Sequence, residues 1–140
     1  MGRSVYIAGL GPGGGKKSTI ALGLTELLSR QTPRVGVFRP LVATRDRPDA
    51  ILSLLHGRYR LDRPYEELFG TTFAEASALV AAGNREELIS RVVDRYRALE
   101  RHFDAIVVIG SDFDDNGEPA RVSPASSRST CGWPPSSAAW

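Results

Sequence analysis

A glycine-rich stretch, residues 9–19, follows a short apolar run and leads directly into a helical pattern. Glycines let the backbone adopt positive φ and bring several N–H groups close to one anion. The N-terminus of the following helix adds unsatisfied N–H donors and a partial positive charge. A lysine and a hydroxyl at the end of the stretch suit terminal phosphates and Mg²⁺. The order strand, glycine loop, helix therefore predicts a phosphate-binding loop.

The first register of this loop starts from its first glycine. Five residues lie between Gly9 and Gly15, and Lys16 follows. This spacing is one residue longer than the common pattern and resembles the loops of dethiobiotin synthetase and its relatives. The pattern then requires Ser or Thr directly after the lysine, but Lys17 stands there, so the hydroxyl comes late in this register.

A second register recovers a lysine followed directly by a hydroxyl. Residues 13–18 contain Gly-Gly-x-x-Lys-Ser, which assigns the two roles to Lys17 and Ser18. This register resembles the deviant loop of partition-type ATPases, although Pro12 stands where that loop has an early lysine. Both registers stay open, as does a glycine-rich turn that binds no ligand. The predicted phosphate- or nucleotide-binding residues are Gly9, Gly13, Gly14, Gly15, Lys16, Lys17, Ser18 and Thr19.

Composition narrows the class of protein that carries this loop. A chain of 140 residues favours one domain, and a net charge of +2 with scattered arginines gives no basis for nucleic-acid binding. The single cysteine, Cys131, cannot form an internal disulfide and favours a reducing compartment. No apolar run reaches membrane-spanning length, and no signal-peptide pattern opens the chain. We therefore expect a soluble cytoplasmic protein with no membrane or nucleic-acid partner.

The start of an α/β sheet is predicted on either side of the loop. Residues 4–8 form a short strand of the kind that is buried on both faces of a parallel sheet. Residues 17–30 form a helix in which Gly23 marks close packing on the sheet. The apolar stripe of this helix is predicted to be Ile20, Leu24, Leu27 and Leu28.

A second strand is predicted over residues 34–38, ending before Pro40 because the residue before a proline is held extended. Arg39 then stands at the carboxyl end of a strand, where open α/β sheets bind ligands. Its two candidate roles are a ligand contact and a solvent-exposed charge at the strand end.

Several helical segments are predicted after this strand. One covers residues 48–57, and residues 65–69 form a further turn that Gly70 stops. Capping-box patterns at Thr72 and Asn84 begin two more helices. The second of these has a clear apolar face, which we assign to the core: Leu88, Ile89, Val92, Val93, Tyr96 and Leu99.

The strongest strand pattern is residues 104–112, with four consecutive β-branched residues followed by Gly-Ser-Asp. This ending resembles a Walker B strand, whose terminal aspartate holds Mg²⁺ directly or through water. Asp112 is therefore the predicted metal ligand, and Asp114 and Asp115 are weaker candidates. The alternative role of Asp112 is to cap a turn.

The chain changes character after residue 115. Serine and proline dominate residues 116–140, which show no apolar period of either kind. We expect a domain over residues 1–115, forming the first half of a P-loop α/β fold with about three parallel strands and flanking helices. Residues 116–140 are expected to be a disordered or out-of-frame tail.

Five pieces of the sequence carry a specific resemblance. They are Arg3-Ser-Val-Tyr-Ile-Ala-Gly-Leu10, Arg34-Val-Gly-Val-Phe-Arg-Pro-Leu-Val42, Gly57-Arg-Tyr-Arg-Leu61, Ala76-Ser-Ala-Leu-Val80 and Val107-Val-Ile-Gly-Ser-Asp-Phe113. Together they resemble the amino-terminal domain of long bacterial phosphate acetyltransferases. The resemblance covers residues 1–115 and rests on the combination, because no single piece would suffice.

This resemblance implies a fold similar to dethiobiotin synthetase. In the long enzymes the domain precedes a middle domain and a carboxyl-terminal domain that transfers acetyl between coenzyme A and phosphate. The chain contains no counterpart of either, so we expect no acetyltransferase active site and leave enzyme activity open. The implied role is regulatory: a module that binds a nucleotide effector, such as ATP with Mg²⁺, or a metabolite, and helps to assemble a homo-oligomer.

Two other functions stay open on the sequence. The first is an ATP-dependent ligase like dethiobiotin synthetase, which needs a complete sheet and a substrate lysine near the loop; Lys16 or Lys17 could serve. The second is an inert remnant with an incomplete sheet, whose open strand edges would promote aggregation.

Overall fold

A computed structural model describes residues 3–8 and 14–111 as a parallel four-stranded sheet with flanking helices. The predicted α/β class is confirmed, with four strands in place of about three. Gly9, Gly13, Asp112 and the predicted tail lie outside the described residues. The elements are β1 (Arg3–Ile7), α1 (Gly14–Ser29), β2 (Val35–Val42), α2 (Ala50–Tyr59), a 3₁₀ turn (Tyr65–Glu67), β3 (Phe69–Thr72), α3 (Phe73–Ala81), α4 (Arg85–Glu100) and β4 (Ala105–Ile109).

The last of the described strands lies inside the sheet. The strand order is β1-β4-β2-β3, and every pairing is parallel. All five residues of β4 are buried, because β4 has a hydrogen-bonded neighbour on each side. Four consecutive β-branched residues suit this position, where both faces of a strand are covered.

The first strand is exposed, contrary to the prediction that both of its faces are buried. Within the described part of the chain, β1 pairs with β4 alone and is an edge strand. Ile7 is its single buried residue, while Val5 is 40% and Tyr6 62% exposed. An apolar pattern predicts that a segment forms a strand, but it does not predict how many neighbouring strands pair with it.

The second strand does not end before Pro40. It runs to Val42, pairing with β4 as far as Phe38 and with β3 from Arg39 onward. The Arg39 N–H donates to the Leu68 carbonyl at 2.9 Å. Pro40 lies past the last β2–β4 pair, so its missing N–H removes no hydrogen bond from that ladder.

The strand β3 was not predicted, since residues 65–69 were expected to form a helical turn stopped by Gly70. The 3₁₀ turn ends at Glu67, and Phe69 begins a strand that pairs with β2. A Cβ at Gly70 would lie 2.5 Å from the Pro40 carbonyl, so the glycine permits the close approach of β3 to β2. Tertiary pairing therefore decides the conformation of this short segment.

The helix α1 is predicted correctly, but its buried face is not. Ala21 and Thr25 are fully buried, and the Thr25 hydroxyl donates to the Ala21 carbonyl at 2.7 Å. Ile20 and Leu27, predicted as core, are more than half exposed. The prediction that Gly23 marks close packing is wrong, because a Cβ there would contact nothing within 4 Å.

The capping box at the start of α3 is confirmed. The Thr72 hydroxyl accepts from the Glu75 N–H at 3.3 Å, and the Glu75 carboxylate accepts from the Thr72 N–H at 3.2 Å. The same carboxylate accepts from the Thr71 hydroxyl at 2.6 Å and from Arg45 at 3.1 Å. Asn84 precedes α4 as predicted, but its side chain makes no capping hydrogen bond.

The core is formed by the central strands and the helix faces that pack on them. Helix α1 contacts β1, β4 and β2, whereas α3 and α4 contact β3 and β2. The predicted apolar face of α4 is only partly covered: Leu99 is buried, but Ile89 is 54% exposed. No helix within the described ranges combines the length and the apolar character that crossing a bilayer requires. The largest fully buried side chains include Phe38, Leu52, Leu55, Leu68, Leu99 and Ile106.

Replacing Gly36 by alanine is expected to destabilise the fold by about 1–3 kcal/mol, because it overpacks the core. The new Cβ would lie 2.5 Å from the buried Phe103 ring. Gly57→Ala is the matched control, since its Cβ meets nothing within 4 Å on a helix and should stabilise by about 0.5–1 kcal/mol. Urea unfolding measures both changes, and equal stability of Gly36→Ala and wild type would contradict the packing of Phe103 on β2.

Glu75 is expected to make the stability of the domain depend on acid pH. Its hydrogen bonds from Thr71 and Thr72, with Arg45 nearby, lower the pKa of Glu75 from 4.5 to about 2. A lowered pKa in the folded state stabilises the fold above the unfolded-state value, and this contribution disappears as pH falls from about 4.5 towards 2. The stability advantage of wild type over Glu75→Gln should therefore shrink across this interval.

Thermal unfolding at a series of pH values between neutral and pH 3 measures this difference. Glu86→Gln is the control, because Glu86 is exposed and makes no hydrogen bond or ion pair with the described residues. A wild-type advantage over Glu75→Gln that stays constant with pH would show that the carboxylate charge does not stabilise this cap.

Candidate phosphate-binding site

The parallel sheet brings the carboxyl ends of three strands together. Gly110, directly after β4, donates its N–H to the Ile7 carbonyl at 2.9 Å. A Cβ at Gly110 would lie 2.9 Å from that same oxygen, so only a glycine fits without a shift. Ser111 donates its hydroxyl to the Leu41 carbonyl of β2 at 2.7 Å. The ends of β1, β4 and β2 therefore form one edge, where α/β folds bind their ligands.

The helix that follows β1 begins with two glycines. Helix α1 starts at Gly14, earlier than the predicted residue 17, so Gly14 and Gly15 belong to its first turn. Neither residue has a side chain to block an anion at the positive end of the helix dipole. Gly9 and Gly13, the other predicted glycines of the loop, lie outside the described residues.

The two candidate lysines occupy different environments. Lys17 is only 7% exposed, whereas Lys16 is exposed; Ser18 is half-buried and Thr19 is exposed. Lysine is rarely buried, because its ammonium group loses water and requires compensating polar or negative groups. Lys17 and Ser18 are therefore the less exposed pair of the candidate residues, and the choice between the two registers stays a prediction.

A simpler form of this register is visible in the sequence and was missed. Gly11, four further residues, Lys16, Lys17 and Ser18 reproduce the common phosphate-loop spacing, with Lys16 in place of the second glycine. The signal is weak because that glycine is a defining feature of the pattern. The burial of Lys17 makes the substitution recognisable.

Arg39 is neither at the end of β2 nor an exposed charge, which corrects two predictions. Its side chain is 13% exposed and forms an ion pair with Asp49, with Nη1 and Oδ2 2.5 Å apart. Asp49 also caps α2, since its Oδ1 accepts from the Leu52 N–H at 3.1 Å. Arg39 thus connects β2 to the start of α2, and a ligand contact by Arg39 stays a prediction.

Asp49 and Tyr65 are the residues near this edge that sequence reasoning missed. The Tyr65 hydroxyl accepts from the Asp49 N–H at 2.7 Å. Burial is the main reason that the pKa of Tyr65 is raised. The available sequence signal was the N-cap preference for aspartate before a helix, which the prediction of a start at Pro48 overlooked.

The metal prediction concerns a residue beyond the described range. Asp112 follows Ser111, whose position at the carboxyl edge is described. Within residues 3–8 and 14–111, no group of three or more histidine, cysteine, aspartate or glutamate side chains is arranged to hold a metal ion. Any Mg²⁺ at this edge would therefore be held through Asp112, Ser18 and the phosphates of a ligand, and this stays a prediction.

Comparison with known proteins identifies the family. A family model described as an AAA domain matches residues 3–118. Phosphate acetyltransferase from Synechocystis sp. is 31% identical over 99 residues, which are 69% of this chain and 14% of that protein. Phosphate acetyltransferase from Nitratidesulfovibrio vulgaris is 30% identical over 115 residues, which are 81% of this chain and 16% of that protein.

The chain thus spans 14% and 16% of the lengths of these two curated relatives. The matched residues include the glycine-rich stretch, the sheet and the strand end at Ser111. The chain belongs to this AAA-domain family, and its phosphate acetyltransferase relatives confirm the predicted resemblance to the amino-terminal P-loop domain of those enzymes.

Proposed function

We propose that this chain is a regulatory domain of the phosphate acetyltransferase type, which binds a nucleotide at the glycine loop and performs no acetyl transfer itself. The single observation that carries the proposal is the burial of Lys17 in the first turns of α1, directly after a glycine-rich stretch. Its support from the comparisons is the match to an AAA domain, a P-loop type of domain.

Each proposed role follows from the chemistry of the residue. Backbone N–H groups of the glycine loop and of Gly14 and Gly15 donate hydrogen bonds to the phosphate oxygens, and Lys17 neutralises the terminal phosphates. Ser18 supplies a hydroxyl ligand to Mg²⁺, and Asp112 is a second candidate ligand at the same edge. ATP is the first nucleotide to test, because these groups match a triphosphate with its metal ion.

The regulatory role concerns the enzymes in which this domain occurs. We propose that nucleotide or metabolite binding at the carboxyl edge biases the assembly and activity of a homo-oligomeric acetyltransferase. In those relatives, conversion of acetyl-CoA and phosphate to acetyl phosphate and coenzyme A would belong to the sequence beyond the matched part. A cytoplasmic location fits this metabolic role and the single cysteine, Cys131.

Calorimetric titration of the purified chain with ATP, GTP and inorganic phosphate in the presence of Mg²⁺ tests the proposal directly. We expect heat of binding from at least one nucleotide and no acetyl phosphate formation from acetyl-CoA and phosphate. A folded sample that binds none of the three compounds would refute nucleotide binding, and acetyl transfer by the chain alone would refute the regulatory assignment.

The Lys-Ser register predicts unequal effects of two substitutions that remove the same charge. Lys17→Ala should weaken ATP binding by roughly tenfold or more, because a buried ammonium group that contacts phosphate is lost. Lys16→Ala should change affinity by less than about threefold, because an exposed charge is screened by solvent. Calorimetry with Mg-ATP measures both, and a larger loss for Lys16→Ala would support the register that starts from Gly9.

A further inference from the structure

A pocket lies at the edge of the sheet opposite to the start of α1. It has a volume of about 300 Å³, and its lining includes Arg34, Tyr59, Arg60, Leu61, Arg101 and Phe103. Val35 and Ala105 are the first residues of β2 and β4 and pair with each other, so residues 34 and 104 mark the amino edge of the parallel sheet. We call this cavity the amino-edge pocket.

Apolar side chains form part of the lining of the amino-edge pocket. Val35, Leu61 and Phe103 line it and are all at least nine-tenths buried. The Phe103 ring packs closely against the backbone of Gly36. Tyr59 adds a second aromatic ring to the lining. The volume of the pocket lies at the lower end of the range of small-molecule sites.

The rim of the pocket is basic, and not all of its charge is neutralised. Arg34 is paired with Asp104 at 2.6 Å, and Arg63 with Glu67 at 2.6 Å. Arg60 and Arg101 form no ion pair with any described residue. Asp62 is the single carboxylate among the described residues that line the pocket, so the rim keeps an excess of guanidinium groups.

Arg60 is held in a backbone conformation that arginine does not favour. It ends α2 with φ 46° and ψ 53°, the left-handed region, and its N–H donates to the His56 carbonyl. Glycine is the usual residue at such a helix end, because it has no Cβ to clash. A glycine at position 60 would adopt this backbone conformation with less strain than an arginine. Arg60 also lines the pocket, so its positive charge lies at the rim.

A purely structural role accounts for part of this arrangement. Helices α2 and α4 both end at the pocket, and cations are favourable near the negative end of a helix dipole. That interaction falls off within the last turn, whereas a guanidinium group that reaches a ligand contributes a full charge and two parallel hydrogen bonds. The dipole also gives no reason for a cavity between the two helix ends.

We propose that the amino-edge pocket binds a small phosphate monoester with an apolar or aromatic body. The body would pack on Phe103 and Leu61, and the phosphate group would be bound by Arg60 and Arg101. Planar guanidinium groups bind oxyanions in a bidentate manner, and a phosphate monoester has three acceptor oxygens and nearly two negative charges for two arginines, whereas a carboxylate has two oxygens and one charge. This site is separate from the glycine loop, because it lies at the other edge of the sheet.

Phenyl phosphate is the probe. Inorganic phosphate, which lacks the aromatic ring, and phenol, which lacks the phosphate group, are the controls. Each compound is titrated into the protein, and changes in the amide chemical shifts in two-dimensional ¹H–¹⁵N NMR spectra identify the residues at the binding site. We expect saturable shifts at Leu61, His102 and Phe103 with phenyl phosphate, and roughly tenfold or more weaker responses with either control. Shifts confined to Lys17 and Ser18 would place binding at the glycine loop and overturn the proposal.

Two substitutions test the rim directly. Arg60→Gly removes the guanidinium group while relieving the left-handed backbone, so its melting temperature should equal or exceed that of wild type. Its affinity for phenyl phosphate should fall roughly tenfold or more, as should that of Arg101→Ala. Unchanged affinity in a folded Arg60→Gly protein would refute the proposed phosphate contact.

A charge-matched control separates this contact from general electrostatic attraction. The double variant Arg85→Ala, Arg91→Ala removes two positive charges from the earlier turns of α4, away from its end at the pocket. Its affinity for phenyl phosphate should stay within about twofold of wild type. Equal losses in this variant would refute a specific site. Because ATP binding is tested with Lys17→Ala and phenyl phosphate binding with Arg60→Gly, failure at one edge is distinguishable from failure at the other.

Discussion

The pairing of β4 between β1 and β2 is the interaction on which the rest of the structure depends. The strands β1 and β2 are consecutive in the chain, yet they do not pair with each other. The insertion of β4 buries all five of its residues and joins β1 to the part of the sheet formed by β2 and β3. Burial of these β-branched side chains on both faces supplies apolar stabilisation that an edge strand cannot obtain.

The same pairing creates the candidate phosphate-binding site. Register between β1 and β4 places Ile7 beside Ile109, and the following Gly110 then approaches the Ile7 carbonyl. The start of α1 lies after this strand end, so the bare helix N-terminus, the buried Lys17 and the Ser111 region belong to one edge. The amino edge has a different character, because two helices end there and arginines line a cavity together with apolar side chains.

The features that sequence predicted correctly depend on residues close together in the chain. The capping box needs only Thr72 and Glu75, and both of its hydrogen bonds form. The strand β4 was recognised from an uninterrupted β-branched run, and the long helix α4 from its apolar period. The glycine-rich stretch was recognised for the same reason, because strand, loop and helix follow one another directly.

The errors arose where a distant part of the chain determined the outcome. The strand β3 exists because β2 extends past Pro40 to pair with it, and a short segment around Gly70 shows no such pattern by itself. Burial of Ala21 and Thr25 in place of Ile20 and Leu27 depends on how α1 sits on β4. The ion pair of Arg39 with Asp49 joins residues whose side chains meet only after α2 packs on β2.

The sequence by itself therefore determined the α/β class and the family, since these reside in local order and spacing, and it supplied the candidate residues of the proposed phosphate loop. It did not determine which of two adjacent lysines is buried, because consecutive helical residues differ only in the direction of their side chains. The tertiary structure decided that question, since Lys17 is buried and Lys16 is exposed. It also decided which strand became central, because strand order depends on contacts between segments distant in sequence.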